Sequence, residues 1–139
     1  MNAVALKDMP GFTDQEEAAL TDLVNVLVTK HGRAVRLLTL FGSKARGEGG
    51  PMSDIDVLVV VAGDRWQMSE DIHDVTHQII RKYDYLIPLS LSVLSEGEYD
   101  LISKVGTSFY RNLEKDGIAL WKSSHAALPP GTRVVVSIR

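Results

Sequence analysis

The feature that most constrains this fold is the apolar run VLVVV at residues 57–61, which no polar residue interrupts. A strand with one face in water alternates apolar and polar residues, whereas a strand covered on both faces does not. The run therefore predicts a strand over 54–62 that is packed on both sides. Residues 35–41, rich in Val, Leu and Thr and bounded by Gly42, predict a second strand.

Helical patterns surround these strands. Thr13 and Glu16 have the spacing of a capping box, and the apolar residues after them recur at helical intervals, which predicts a helix over 14–31. The remaining elements are predicted in this order: a helix over 66–83, a third strand over 85–94 that Pro88 places at an edge or a bend, helices over 95–104 and 108–115, and a short strand over 118–121.

Strands that alternate with helices predict an α/β or α+β fold, a small mixed sheet of three to five strands with helices packed against it. We divide the chain into an N-terminal arm at 1–12, one domain at 13–121 and a C-terminal tail at 122–139. Within the tail, a turn at 129–131 precedes an apolar segment that the pattern does not place.

Composition excludes several classes of protein. The absence of cysteine rules out disulfides and cysteine-ligated zinc, and it fits a reducing compartment. A formal net charge of −3 predicts no general nucleic-acid-binding surface. Because no apolar segment forms a signal-peptide core or reaches the ~20 residues of a membrane span, we expect a cytoplasmic protein without membrane association.

Two carboxylates stand at the start of the predicted central strand. Asp54 and Asp56 are two residues apart, so on a strand their side chains point to one face and can converge on hard cations such as Mg²⁺. Gly42 and Ser43 follow the other strand, where glycine permits close backbone approach and amides that open a short helix favour anions. If the two strands are neighbours, a nucleoside triphosphate with Mg²⁺ would suit both the anion-binding turn and the cation-binding carboxylates.

Lys44 and Arg46 add positive charge near this predicted anion-binding corner. Taken alone, an Asp-x-Asp pair at a strand start is more often structural than metal-binding, and a Gly-Ser turn is weaker evidence still. Their combination, with one apolar run before the turn and another after the acids, is much more specific. The P-loop string G-x-x-x-x-G-K-[ST] does not occur, which argues against a P-loop nucleotidase.

Residues 42–47, GSKARG, and 53–58, SDIDVL, resemble the G-S-x-A-R-G and S-D-I-D-hydrophobic motifs of the polymerase-β-like nucleotidyltransferase superfamily. The small size is similar to that of the minimal nucleotidyltransferases of bacteria and archaea. The resemblance implies the nucleotidyltransferase fold, a Mg²⁺ (or Mn²⁺) cofactor, and transfer of NMP, with ATP the expected donor, to an acceptor hydroxyl.

The resemblance also implies roles for individual residues. Gly42 and Ser43 would hold the triphosphate, and Arg46 would either assist the phosphates or brace the loop. Asp54 and Asp56 would be the catalytic, metal-binding carboxylates.

One departure from the family pattern concerns a third carboxylate, which active members usually carry on a later strand. Ser90 stands at the expected third-acid position, and serine is a poor base and a weak Mg²⁺ ligand. Asp84, just before that strand, is a less favoured substitute. A partner chain or the acceptor is another source of the missing acid.

The resemblance further implies a protein partner. Stand-alone members of this type are commonly paired with small helical proteins of the HEPN type, which are RNase toxins, and they resemble antitoxins that neutralise the toxin by nucleotidylation or by contact. Two hypotheses follow: an active nucleotidyltransferase, or a catalytically degenerate fold that acts as a non-enzymatic antitoxin or binding module. The short chain leaves little room for an acceptor-binding domain, which favours a partner or a homo-oligomer.

Overall fold

The computed structural model of the protein describes residues 3–50 and 53–135. The strands are β1 (Ala3–Val4), β2 (Val35–Phe41), β3 (Ile55–Val61), β4 (Leu89–Ser95), β5 (Ile118–Lys122) and β6 (Arg133–Val135). The helices are α1 (Asp14–His31), α2 (Gly42–Ala45), α3 (Arg65–Lys82), α4 (Glu96–Val105) and α5 (Ser108–Asp116), and a 3₁₀ turn lies at Leu6–Asp8. These elements confirm the predicted α/β class.

Within the described ranges, six strands form one mixed sheet in the order β1-β6-β5-β2-β3-β4. The central strand β2 runs antiparallel to both β3 and β5. The other pairs, β3 with β4, β5 with β6 and β1 with β6, are parallel. Among the helices of these residues, none has the length and apolar character that a bilayer crossing requires.

Strand β3 is covered on both faces, as its apolar run predicts. Side chains at alternate positions from Ile55 to Val61 join a core that also contains α1 and α3. Leu58 and Val60 point the other way and pack in a smaller cluster with Leu113 of α5. Helices therefore lie on both faces of the sheet.

The segments predicted as an arm and a tail contribute to the sheet. Val4 of β1 pairs with Val135 of β6, and β6 in turn pairs with β5, so the sheet has more strands than the three to five expected. Leu6 is fully buried, so part of the predicted arm packs into the core. Strands of two or three residues are too short to show periodicity, and tertiary pairing forms them. Residues 1–2 and 136–139 of these segments lie outside the described residues.

The third strand begins later than predicted. Asp84 and Tyr85 adopt left-handed backbone conformations, with φ of 58° and 61°, and form the turn that follows α3. The strand therefore starts at Leu89 rather than at residue 85. It lies at the edge of the sheet, as Pro88 predicts.

Candidate active site

The pairing of β2 with β3 brings the two halves of the predicted site together. Phe41 lies opposite Asp56 in this pair, so Gly42 begins α2 beside the Asp56 carboxylate. Gly42 has a φ of 75°, in the left-handed region that favours glycine. A Cβ there would collide with Asp56 Oδ2 and would lie 3.2 Å from Asp56 Cγ. Gly42 is therefore required both by the backbone conformation and by the close approach of the carboxylate.

Ser43 is half-buried in the single turn of α2 that follows. The turn continues into the loop through backbone hydrogen bonds, in which the Arg46 amide donates to the Gly42 carbonyl at 3.2 Å and the Glu48 amide to the Ser43 carbonyl at 3.0 Å. A helix of one turn is not stable in isolation. The position of Ser43 therefore depends on contacts between α2 and the rest of the protein.

The two carboxylates at the start of β3 have different environments. Asp54 is exposed, whereas Asp56 is half-buried. Burial raises the pKa of Asp56 above its ordinary value of 3.8, and the neighbouring Asp54 carboxylate raises it further, while Arg46 lowers it. Burial and like-charge repulsion both disfavour the ionised form, and a bound cation relieves this penalty. The residues present therefore fit a divalent cation.

Arg46 is exposed beside this pair. Its Nε donates a hydrogen bond to Glu48 Oε1 at 2.8 Å, a contact within the loop. The Glu48 carboxylate raises the pKa of Arg46 above its ordinary value, with smaller contributions from Asp116 and Asp56. Of the two interpretations of Arg46, the Glu48 contact favours bracing of the loop. A role of Arg46 at the phosphates stays a prediction.

Lys44 does not add charge to this corner. Its side chain is fully buried, and Nζ forms an ion pair with Glu16 Oε2 at 2.7 Å and donates to the Gly11 carbonyl at 2.8 Å. Its stem packs against Gly49, where a Cβ would lie 3.0 Å from Lys44 Cδ. The expectation that Lys44 adds positive charge at this corner is wrong, because its ammonium is buried against Glu16 and ties α2 to α1.

The predicted third-acid position lies directly beside Asp56 in the sheet. Ser90 is the register partner of Asp56 in the parallel β3–β4 pair, so both side chains lie on the same face of the sheet. Asp84 is in the left-handed turn that precedes β4. Within residues 3–50 and 53–135, no three His, Cys, Asp or Glu side chains converge as a metal site.

Arg133 is a residue of this region that the sequence analysis missed. Its Nη2 donates hydrogen bonds to the carbonyl of Ala45 at 3.0 Å and to the carbonyl of Asp116 at 2.8 Å. Arg133 is 88 residues from Ala45 along the chain, and no motif or periodicity relates the two positions.

Near the same corner, the rings of Phe41 and Phe109 meet edge to face at 5.4 Å between centroids, which fixes α5 against the sheet.

Comparisons with known proteins identify the family of this chain. The chain matches the nucleotidyltransferase domain family over residues 20–123. It is similar to a proposed protein adenylyltransferase of Methanocaldococcus jannaschii, with 32% identity over 106 residues that span 76% of this chain and 98% of that protein. This chain belongs to the nucleotidyltransferase domain family.

Two solved structures are similar to this chain, and the first shows the same fold. The crystal structure of a proposed nucleotidyltransferase from Sulfolobus solfataricus matches with a TM-score of 0.51 and 23% identity, over 85% of this chain and 96% of that one. A toxin–antitoxin structure solved with AMP-PNP gives a TM-score of 0.48 and 21% identity, over 75% of this chain and 74% of that chain.

Proposed function

We propose that this protein transfers AMP from ATP to an acceptor hydroxyl, with Mg²⁺ or Mn²⁺ as cofactor. The acceptor oxygen forms a bond to the α-phosphorus as the bond from that phosphorus to the α,β-bridging oxygen breaks. Pyrophosphate leaves with the electron pair, and the hydroxyl proton is released. The close approach of Gly42 to the Asp56 carboxylate supports this proposal, because the turn predicted to bind phosphate begins next to one of the two carboxylates predicted to bind the cation.

Asp54 and Asp56 would hold the divalent cation. When bound, the cation would neutralise charge that develops on the phosphates in the transition state. Gly42, which has no side chain, lets the Asp56 carboxylate lie close against the turn that would bind the phosphates. Ser43 would donate its hydroxyl and backbone amide to the same oxygens.

A protein acceptor is the favoured substrate. The M. jannaschii relative is named as a protein adenylyltransferase, which supports both ATP as the donor and a protein as the acceptor. The motif resemblance described above adds a HEPN-type toxin as the expected acceptor protein. Adenylylation of a hydroxyl on that partner would then neutralise the toxin.

One observation favours a second candidate, a binding module without transfer activity. The position beside Asp56 in the sheet is occupied by Ser90, a neutral side chain. Serine is a poor general base at neutral pH and a weak ligand for Mg²⁺. In this candidate, the fold would bind its partner by contact and leave it unmodified.

A titration with ATP and Mg²⁺, followed by thermal unfolding, tests the first step of the proposal. At about 100 times Kd, binding should add about 2.7 kcal/mol to the free energy of unfolding, which corresponds to several degrees in Tm. We expect this Mg²⁺-dependent shift in the wild type and its loss in Asp56→Asn. Asp74→Asn, an exposed change on α3, is the control and should keep the shift.

The second step separates the two candidates. The protein is incubated with ATP, Mg²⁺ and a candidate HEPN partner, and the partner is analysed by mass spectrometry. Addition of one AMP by the wild type but not by Asp56→Asn supports transfer. ATP binding together with an unmodified but neutralised partner supports the binding module. Absence of any shift at millimolar ATP would contradict the proposal of a nucleotide site.

A further inference from the structure

The turn that carries Gly42 and Ser43 needs support from outside itself. Helix α2 has four residues, and the last carbonyls of any helix have no partner within it. The Ala45 carbonyl accepts from Arg133 Nη2 at 3.0 Å, and the same nitrogen donates to the Asp116 carbonyl at 2.8 Å. One nitrogen therefore joins the end of α2 to the end of α5.

Arg133 itself stands on a strand that is held from both sides. In β6, Arg133 is the register partner of Ile118 in β5, and the next residue, Val134, is the partner of Ala3 in β1. Arg133 also lies beyond residues 20–123, the part of the chain that matches the family. The contact with α2 therefore comes from a segment outside the matched motif region.

The charges at this junction are complementary. A cation is favourable at the carbonyl end of a helix, and Arg133 meets two such ends with one guanidinium. The Asp116 side chain is close enough to Arg46 to contribute to its raised pKa, as Asp56 also does. Arg133 holds the main chain at the end of α5 through the Asp116 carbonyl.

We propose that Arg133 is a positioning residue of the nucleotide site. It holds α2 at its C-terminal end, so that Gly42 and Ser43 remain beside Asp56. Loss of this bridge weakens the binding of ATP with Mg²⁺, and it does so more than an equal loss of folding stability elsewhere in the protein. The inference rests on the proposed function, because it takes the turn at Gly42 as the phosphate-binding element.

The test compares Arg133→Gln and Arg133→Lys with a matched control, Arg111→Gln. Arg111 Nε donates to the carbonyl of Gly106 at 2.9 Å, so it also supports a helix end, but at the junction of α4 and α5. Titration calorimetry with ATP and Mg²⁺ gives Kd, and thermal unfolding gives Tm for each variant. We expect about a tenfold higher Kd for Arg133→Gln, which corresponds to about 1.4 kcal/mol, and an unchanged Kd for the control at a comparable loss of Tm.

Arg133→Lys separates geometry from charge. Lysine keeps the positive charge, but its shorter and more flexible side chain does not hold a donor nitrogen at the position of Arg133 Nη2, so it should recover only part of the wild-type affinity. Full recovery would show that charge alone matters and would overturn the bridging role. A Kd for Arg133→Gln within twofold of the wild type would overturn the inference as well.

Two further outcomes are also decisive. If Arg133→Gln does not fold, Arg133→Lys carries the test alone, and a wild-type Kd in that variant would overturn the inference. If the wild type itself does not bind ATP with Mg²⁺, the proposed function fails and the inference fails with it. Wild-type binding that all Arg133 variants retain would remove the inference and leave the function standing.

Discussion

The buried ion pair between Lys44 and Glu16 predicts that Lys44→Met is strongly destabilising. The Lys44 side chain is 0% exposed and that of Glu16 is 3% exposed, so neither charge is solvated by water. Met preserves the packing of the aliphatic stem but leaves the Glu16 carboxylate buried without its counter-charge. The Gly11 carbonyl also loses its hydrogen-bond donor.

The expected loss of stability follows from the burial of the ion pair rather than from its N–O distance. Removing one partner of a buried pair typically costs about 3–5 kcal/mol, a large part of the ~5–15 kcal/mol that stabilises a domain. Lys82 and Asp22 form a pair of nearly the same length, 2.8 Å against 2.7 Å, but the Lys82 side chain is 62% exposed. Because exposed pairs contribute about 0–1 kcal/mol, Lys82→Met is the matched control.

Urea denaturation of five proteins measures the effect: the wild type, Lys44→Met, Glu16→Gln, the double variant and the control Lys82→Met. The Gln side-chain carbonyl can still accept from the Thr13 amide, so the double variant removes the unpaired charge and keeps the helix cap. We therefore expect the double variant to be more stable than Lys44→Met alone. The two changes should not be additive, because the residues are in contact.

Two results would refute this reasoning. If Lys44→Met cost no more than Lys82→Met, burial would not set the strength of the pair. If the double variant were as unstable as the sum of the single changes, the two charges would not interact.

The remaining predictions concern the carboxylates and the glycine beside them. Gly42→Ala should lower the free energy of unfolding more than Gly63→Ala does, and it should abolish the ATP-dependent shift in Tm. Both glycines have φ above 70°, so the backbone strain of an alanine is similar at the two positions. A Cβ at Gly42 would meet the Asp56 carboxylate, whereas nothing in the described chain lies within 4 Å of a Cβ at Gly63. Asp56→Asn should raise the stability of the ligand-free protein in urea at pH 7. Because the pKa of Asp56 is raised in the folded state, the stability of the wild type falls as pH rises through that pKa. The stability gained by Asp56→Asn should therefore disappear below pH 3.8, the ordinary pKa of the carboxyl. A variant less stable than the wild type at pH 7 would contradict this.

The sequence predicts much of the fold and site because the relevant signals are local or periodic. The two-sided burial of β3 follows from its uninterrupted apolar run, and the neighbouring position of Gly42 and Asp56 follows once β2 and β3 pair. Only the family resemblance predicts Ser90 near the carboxylates, and the β3–β4 register pairs it with Asp56.

Other features depend on contacts that no local pattern encodes. The orientation of the Lys44 side chain depends on the position of Glu16 in α1. The hydrogen bond from Arg133 to the end of α2 depends on the placement of β6. The late start of β4 depends on left-handed conformations at Asp84 and Tyr85, which are uncommon for residues other than glycine. Each of these features is set by tertiary packing.

Glu16 uses its two carboxylate oxygens for different partners. Oε1 accepts from the Thr13 amide at the start of α1, and Oε2 pairs with Lys44 in α2. The first turn of α1 and the turn that carries Gly42 therefore share one side chain, and opening either of them weakens the other. In a hydrogen-exchange experiment, these two segments would behave as one cooperative unit although the helix and strand between them belong to the stable core.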